Sequence, residues 1–146
     1  MRRATIMCLL AASLGSVSGQ LAQSTDQGAT SKESQSDSTQ RYTVKDGDKV
    51  DEQTLQGWKT WRALACERCH GAEQEGLVGP PLVESMKRLS KEEFHTVMMD
   101  GRTEKGMPPF KTSQMVNKNW EGLYAYLKGR SDGQIKAGRL SPIDTP

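Results

Sequence analysis

Cys66, Cys69 and His70 lie within the run Cys66-Glu67-Arg68-Cys69-His70 and have the types and spacing for one piece of chemistry. Residues three and four apart are neighbours on a helical surface, so one turn puts both thiols and the imidazole on a single face. C-x-x-C-H is the attachment pattern of c-type haem. The two sulfurs add to the two vinyl groups of one porphyrin, and the imidazole is held beneath the iron as an axial ligand. What stands on the other side of the iron separates electron carriers from gas binders and peroxidases.

Other uses of these cysteines fit less of the pattern. A C-x-x-C redox motif belongs at a strand-to-helix turn in a βαβ unit, and no strand pattern precedes Cys66. A structural zinc ion takes four ligands. The body of the chain has Cys66, Cys69, His70 and His95 for that purpose, and no second cysteine pair. A Cys66–Cys69 disulfide would leave His70 unexplained.

The second axial ligand is expected from a Met or His after the following helix. Gly106-Met107-Pro108-Pro109-Phe110 stands out. Two prolines fix the backbone after Met107, and Gly106 gives the freedom to bring a thioether close to a flat cofactor. Against this, Met commonly fills irregular gaps in a core, the reading that suits Met86, Met98 and Met115. His95 is the rival ligand, but inward-facing Phe94 and Val97 turn it toward solvent, and Met99 shares that problem beside Met98. In Gly79-Pro80-Pro81-Leu82, Pro80 follows His70 by ten residues. A ligating histidine usually has its other ring N–H held by a carbonyl; a rigid Gly-Pro turn either presents one or is simply a turn.

The elements that must position these residues read as helices. Leu55, Trp58, Trp61 and Ala65 recur at three- and four-residue spacing on a helix leading into Cys66. Ser90-Lys91-Glu92-Glu93 is a capping box opening a second helix, along which Phe94, Val97 and Met98 face inward and which Gly101 ends. A third starts near Asn117, carries Trp120, Leu123, Tyr124 and Leu127, and has Gly129 placed as its C-terminal cap. Gly and Pro mark the stretches from Gly71 to Met86 and from Gly101 to Met115 as loops.

Residues 1–19 have the form of a secretory signal peptide, with Arg2 and Arg3, an apolar stretch from Ile6 to Leu14, and small residues at Val17-Ser18-Gly19. That stretch is too short to span a bilayer, and Cys8 should leave with it. Of 20 Lys+Arg two lie in this segment, whereas all 18 Asp+Glu lie beyond it. The exported chain is therefore near neutral, and nothing points to a nucleic-acid partner. Residues 20–41 are rich in Ser, Gln, Thr and Asp and read as a disordered leader. The folded unit is expected over 42–130, with a tail over 131–146. A domain this small rarely stabilises itself on side chains alone; a covalently held haem would supply the missing apolar centre.

Taken together, Cys66-x-x-Cys69-His70-Gly71, Gly79-Pro80-x-Leu82, Gly106-Met107-Pro108 and Leu123-x-x-Tyr126-Leu127 resemble class I cytochrome c over Leu55 to Arg130. The resemblance implies an all-α fold of three to five helices wrapped around one covalent haem c, held by Cys66 and Cys69. It implies His70 and Met107 as axial iron ligands and the Pro80 carbonyl as the partner of His70. It also implies a crossing of first and last helices, with Gly57 and Trp61 facing Leu123 and Tyr126. Trp61 stands five residues before Cys66, where the family usually has four, which leaves the register of the first helix open.

A narrower resemblance rests on Trp58, Trp61, Phe94, the Met-Pro-Pro-Phe loop and the run from Tyr126 to Gly133. These are similar to soluble monohaem cytochromes that accept electrons from periplasmic alcohol dehydrogenases using pyrroloquinoline quinone. It implies a monomeric periplasmic electron carrier, not an enzyme, that passes electrons toward a terminal oxidase or another cytochrome. The competing functions are a carrier of another respiratory pathway and a haem-based sensor or peroxidase-like protein in which Met107 leaves the iron. Lys59, Arg102, Lys105 and Lys111 flank the segments expected around the haem edge, where they could steer an acidic partner.

Overall fold

The computed structural model describes residues 41–143. The expected signal peptide, and all of the expected leader but Arg41, lie outside them.

Asp51 starts the first helix. Its carboxylate accepts from the Thr54 N–H at 2.9 Å, from the Thr54 hydroxyl at 2.8 Å and from the Thr43 N–H at 2.6 Å, satisfying an orphan donor of the first turn. Helix α1 then runs Glu52–Ala63 and buries Leu55 and Trp61, with Trp58 half-buried against the core. It stops before Ala65, which sequence periodicity had placed on it. Ala65 adopts φ 53°, and the hydrogen bonds Ala65 N–H to Arg62 O (3.1 Å) and Cys66 N–H to Trp61 O (3.3 Å) form a Schellman motif. The extra residue between Trp61 and Cys66 is taken up in this left-handed turn.

Four further helices follow. Helix α2 is the single turn Glu67–His70 and α3 is Leu82–Ser85, a turn inside the first expected loop. Helix α4 is Lys91–Asp100. The Ser90–Glu93 capping box is present in both directions, at 3.1 and 2.8 Å. Phe94 and Met98 are buried, Val97 is half-buried, and Gly101 ends the helix at φ 71°. Helix α5, Gln114–Ser131, begins three residues earlier than expected because the Ser113 hydroxyl accepts from the Val116 N–H. Met115, expected in the core, sits on its first turn 42% exposed.

Gly129 does not cap α5, which continues to Ser131. A Cβ there would collide with the Ile135 side chain, so this glycine serves close packing and not a change of chain direction. The positive φ falls at Gly133 instead.

Helices α1 and α5 cross at Gly57 and Gly122. A Cβ on either would strike backbone of the other helix, Gly122 O from Gly57 and Gln53 O from Gly122. Two absent side chains let the backbones touch. Trp61 and Tyr126 pack one turn further along, with ring centroids 6.3 Å apart.

Two short strands also precede the motif, where no strand pattern was expected. Strands β1 (Val44–Lys45) and β2 (Lys49–Val50) pair antiparallel, and β3 (Ser141–Pro142) pairs parallel with β2. This is a hairpin with a returning chain, not a βαβ unit. Two-residue strands have no periodicity for a sequence to display. The segment after Ser131, expected as a tail, carries Ile135 and Leu140 into the core and hydrogen-bonds through Lys136, Ser141 and Ile143 to Gly47, Asp48 and Val50.

Candidate functional site

The Schellman turn delivers Cys66 in helical conformation (φ −58°, ψ −28°) as the first residue of a fresh turn. Cys69 N–H and His70 N–H both donate to Cys66 O, at 3.2 and 3.0 Å, so the three chemical side chains are fixed by two bonds. Gly71 then leaves at φ 83°. The following loop folds back on the motif: Gly76 N–H donates to His70 O at 2.7 Å, and Gly79 N–H to Cys69 O at 2.8 Å.

That return places Pro80 O 3.0 Å from His70 Nδ1. A carbonyl can only accept, so Nδ1 carries the hydrogen, and in the neutral ring this leaves the lone pair on Nε2. Gly79 makes the approach possible. A Cβ there would lie 2.8 Å from His70 Cε1 and 2.9 Å from Nδ1.

Met107 is held by a different device. Its N–H donates to Arg102 O at 3.1 Å and its carbonyl accepts from Arg102 N–H at 2.9 Å, around a 3₁₀ turn at Thr103–Lys105. Gly106 closes that turn in the left-handed region at φ 84°. Beyond the prolines, Phe110 N–H donates to Met98 O at 3.0 Å, tying the loop to the end of α4. Pro108 and Pro109 lie over Gly101, where a Cβ would come within 2.6 Å of them.

Cys66, Cys69, His70, Pro80 and Met107 all line one cavity of about 300 Å³, with Trp61, Met86, Phe94 and Leu123 among its apolar walls. Met86 and Met98 line it too but are closely packed, whereas Met107 is half-buried. His95 is absent from the wall; its ring packs on Trp120 at 4.4 Å between centroids. Arg102 and Lys105 line the cavity and are exposed, while Lys59 and Lys111 are exposed away from it.

The electrostatics argue against dithiol chemistry. Burial, reinforced by the Glu67 carboxylate, pushes the Cys66 thiol up to about 12. Redox-active and nucleophilic cysteines need the opposite shift. An apolar slot, two thiols and an imidazole with a free Nε2 do fit a haem. Cys66 and Cys69 would form its thioethers, and His70 would supply a ligand to its iron.

Sequence reasoning missed Gln74 and Arg130. Gln74 is buried at φ 64° and takes a 2.6 Å hydrogen bond from Arg130 Nε. A glutamine in a polar loop gives no signal of burial.

Residues 52–127 match the protein family described as cytochrome c oxidase, cbb3-type, subunit III. With this fold, this motif and this match, the chain belongs to the c-type cytochromes, as a single-haem class I member whose cofactor is covalent haem c. It is 45% identical to cytochrome c-555 of Methylococcus capsulatus over 92 residues, covering 62% of this chain and 73% of that one. It is 30% identical to cytochrome c-553I of Paracoccus denitrificans over 105 residues, covering 67% of this chain and 46% of that one. Among solved structures it is similar to the c-type cytochrome XoxG of Methylobacterium extorquens AM1, with TM-score 0.64 and 35% identity over 72% of this chain and 68% of that one. The all-α expectation holds, with five α-helices among the described residues and the small sheet as an addition. The chain is an electron carrier of this class.

Proposed function

We propose that this protein is a periplasmic carrier that takes one electron from a quinoprotein alcohol dehydrogenase and passes it toward a terminal oxidase. His70 and Met107 serve as the axial ligands, Cys66 and Cys69 as the thioether anchors, and Pro80 as the acceptor that orients His70. The observation that carries the reading is the hydrogen bond from His70 Nδ1–H to Pro80 O, which in the neutral ring leaves the Nε2 lone pair of this cavity-lining residue to bind iron. Haem bound there supplies a one-electron couple between ferric and ferrous iron. The chain's part is to exclude water with Trp61, Phe94 and Leu123, to fix both ligands, and to leave an accessible edge. Held by both His70 and Met107, a bound iron would keep no open position for a substrate, which favours carriage over catalysis.

Export rests on residues 1–19 having the form of a signal peptide, followed by the polar leader. Among the described residues no helix is long and apolar enough to cross a membrane. The donor assignment rests on Trp58, Trp61, the Met-Pro-Pro-Phe loop and the run from Tyr126 to Gly133. The likeness to XoxG supports it at the level of the cytochrome. Exposed Arg102 and Lys105 at the cavity mouth suit an acidic docking face.

The test is reduction of the purified cytochrome by a quinoprotein alcohol dehydrogenase of the same organism, with alcohol as electron source. Fast reduction that slows as salt rises is expected, because screening acts beyond about 10 Å at 0.1 M. No reduction at any ionic strength, alongside fast reduction by an unrelated donor, would assign the carrier to another respiratory chain.

A further inference from the structure

The loop that carries Pro80 has little apolar burial of its own. Leu77 and Val78 at its tip are 69% and 87% exposed. Its position must therefore come from hydrogen bonds: on one side of Pro80 the Gly76, Leu77 and Gly79 N–H groups bind back to His70 O and Cys69 O, and on the other side the chain is tied to Gln74. Gln74 N–H donates to Gly71 O at 3.1 Å, and its carbonyl accepts from Leu82 N–H at 2.9 Å. Pro80 thus lies between Gly79, tied to Cys69 O, and Leu82, tied to Gln74 O.

Gln74 is in turn held from α5. Its Oε1 accepts from Arg130 Nε at 2.6 Å, and its Nε2 lies 3.1 Å from the Tyr126 hydroxyl. The same guanidinium donates through Nη2 to Glu73 O at 3.1 Å and through Nη1 to Ile135 O at 2.7 Å. One planar fork therefore joins the loop after the C-x-x-C-H motif, the terminal helix and the returning chain. Gln74 keeps φ 64° although it is not glycine, a conformation that persists where surrounding contacts over-determine it.

We propose that Arg130 and Gln74 are positioning residues for the axial histidine: by bracing the loop they hold the Pro80 carbonyl against His70 Nδ1 and so tune the imidazole. This rests on the reading of His70 as an iron ligand. A firm Nδ1–H···O bond fixes ring orientation and raises ligand basicity, which favours ferric iron and lowers the potential. Loosening the brace raises the potential.

The experiment compares Arg130→Lys, Gln74→Leu and Gln74→Glu with the parent holoprotein. Reduction potential is measured by redox titration and His70 Nδ1–H exchange by NMR. Lysine keeps the charge but cannot make three forked bonds. Arg130→Lys and Gln74→Leu are expected to raise the potential and to speed Nδ1–H exchange by about tenfold, the factor that corresponds to weakening one hydrogen bond. Gln74→Glu keeps an acceptor for Arg130 and gives up the amide donor to Tyr126, so its Nδ1–H exchange is expected to rise less than that of Gln74→Leu. Should Arg130→Lys and Gln74→Leu lower only the melting temperature, with potential and exchange unchanged, the brace is structural and the proposal falls. Absence of a hyperfine-shifted imidazole proton in the oxidised parent would overturn His70 as the ligand instead.

Discussion

A methionine packed deep in a core is less able to reach an iron, and burial separates Met107 from its neighbours. Met86 and Met98 line the same cavity but are packed into the core, at 1% and 5% exposure. Met107 is half-buried, and both its backbone hydrogen-bonding groups are tied to Arg102. Met107→Ala is therefore expected to abolish the weak red absorption band of iron–methionine bonding in the oxidised protein. It should also open the ferrous iron to carbon monoxide and lower the potential. His95→Ala, which removes a ring packed on Trp120 away from the cavity, should leave all three unchanged. Visible spectroscopy with and without carbon monoxide checks both; the reverse pattern would transfer the ligand role to His95.

At the scale of elements, the turn that ends α1 and the crossing of α1 with α5 have opposite sensitivities to the smallest substitutions. Ala65 sits in a left-handed conformation that costs an L-residue roughly 1–2 kcal/mol. Glycine would remove that strain but lose about 0.5–1 kcal/mol through extra freedom in the unfolded chain. Ala65→Gly is thus expected to stabilise the holoprotein by about 0.5–1 kcal/mol. Gly122→Ala adds the same methylene where backbone meets backbone, against Gln53 O. It should destabilise by about 1–3 kcal/mol or more, since neither helix can yield without losing the crossing. Denaturant unfolding of both variants measures the contrast. A loss in Ala65→Gly would mean that its methyl on the cavity wall matters more than its backbone strain.

The whole molecule is joined by tyrosines that bridge distant segments. Tyr42, from the start of the described chain, donates to Asp132 beyond α5 at 2.9 Å, and Tyr126 contacts the buried Gln74. Burial raises both phenols above the ordinary value of 10.0, and for Tyr42 the Asp132 carboxylate raises it further. Above pH 10 the unfolded chain therefore releases these protons while the folded chain keeps them, and stability falls as pH rises. Each tyrosine adds a slope of up to about 1.4 kcal/mol per pH unit in that window. Unfolding midpoints measured from pH 9 to 12 should decline, and Tyr42→Phe should decline less steeply.

The sequence by itself determined what is local. The C-x-x-C-H turn and the Ser90–Glu93 capping box involve residues within four positions of each other, and chain connectivity alone brings their atoms into reach. Met107 could be singled out because Gly106 and two prolines constrain the backbone beside it. The tertiary structure decided everything that depends on two distant segments meeting. Gly122 is an ordinary helix glycine until Gly57 and Gln53 lie against it, and Gly129 resembles a cap until Ile135 occupies its Cβ space. Gln74 reads as solvated loop until Arg130, 56 positions away, holds it in the interior. The strands exist only as partners, since two residues carry no periodicity and gain their hydrogen bonds from Val44, Val50 and Pro142 coming together. Composition and spacing record which side chains are present; close approach and buried pairing are properties of pairs, and the chain must fold before those pairs exist.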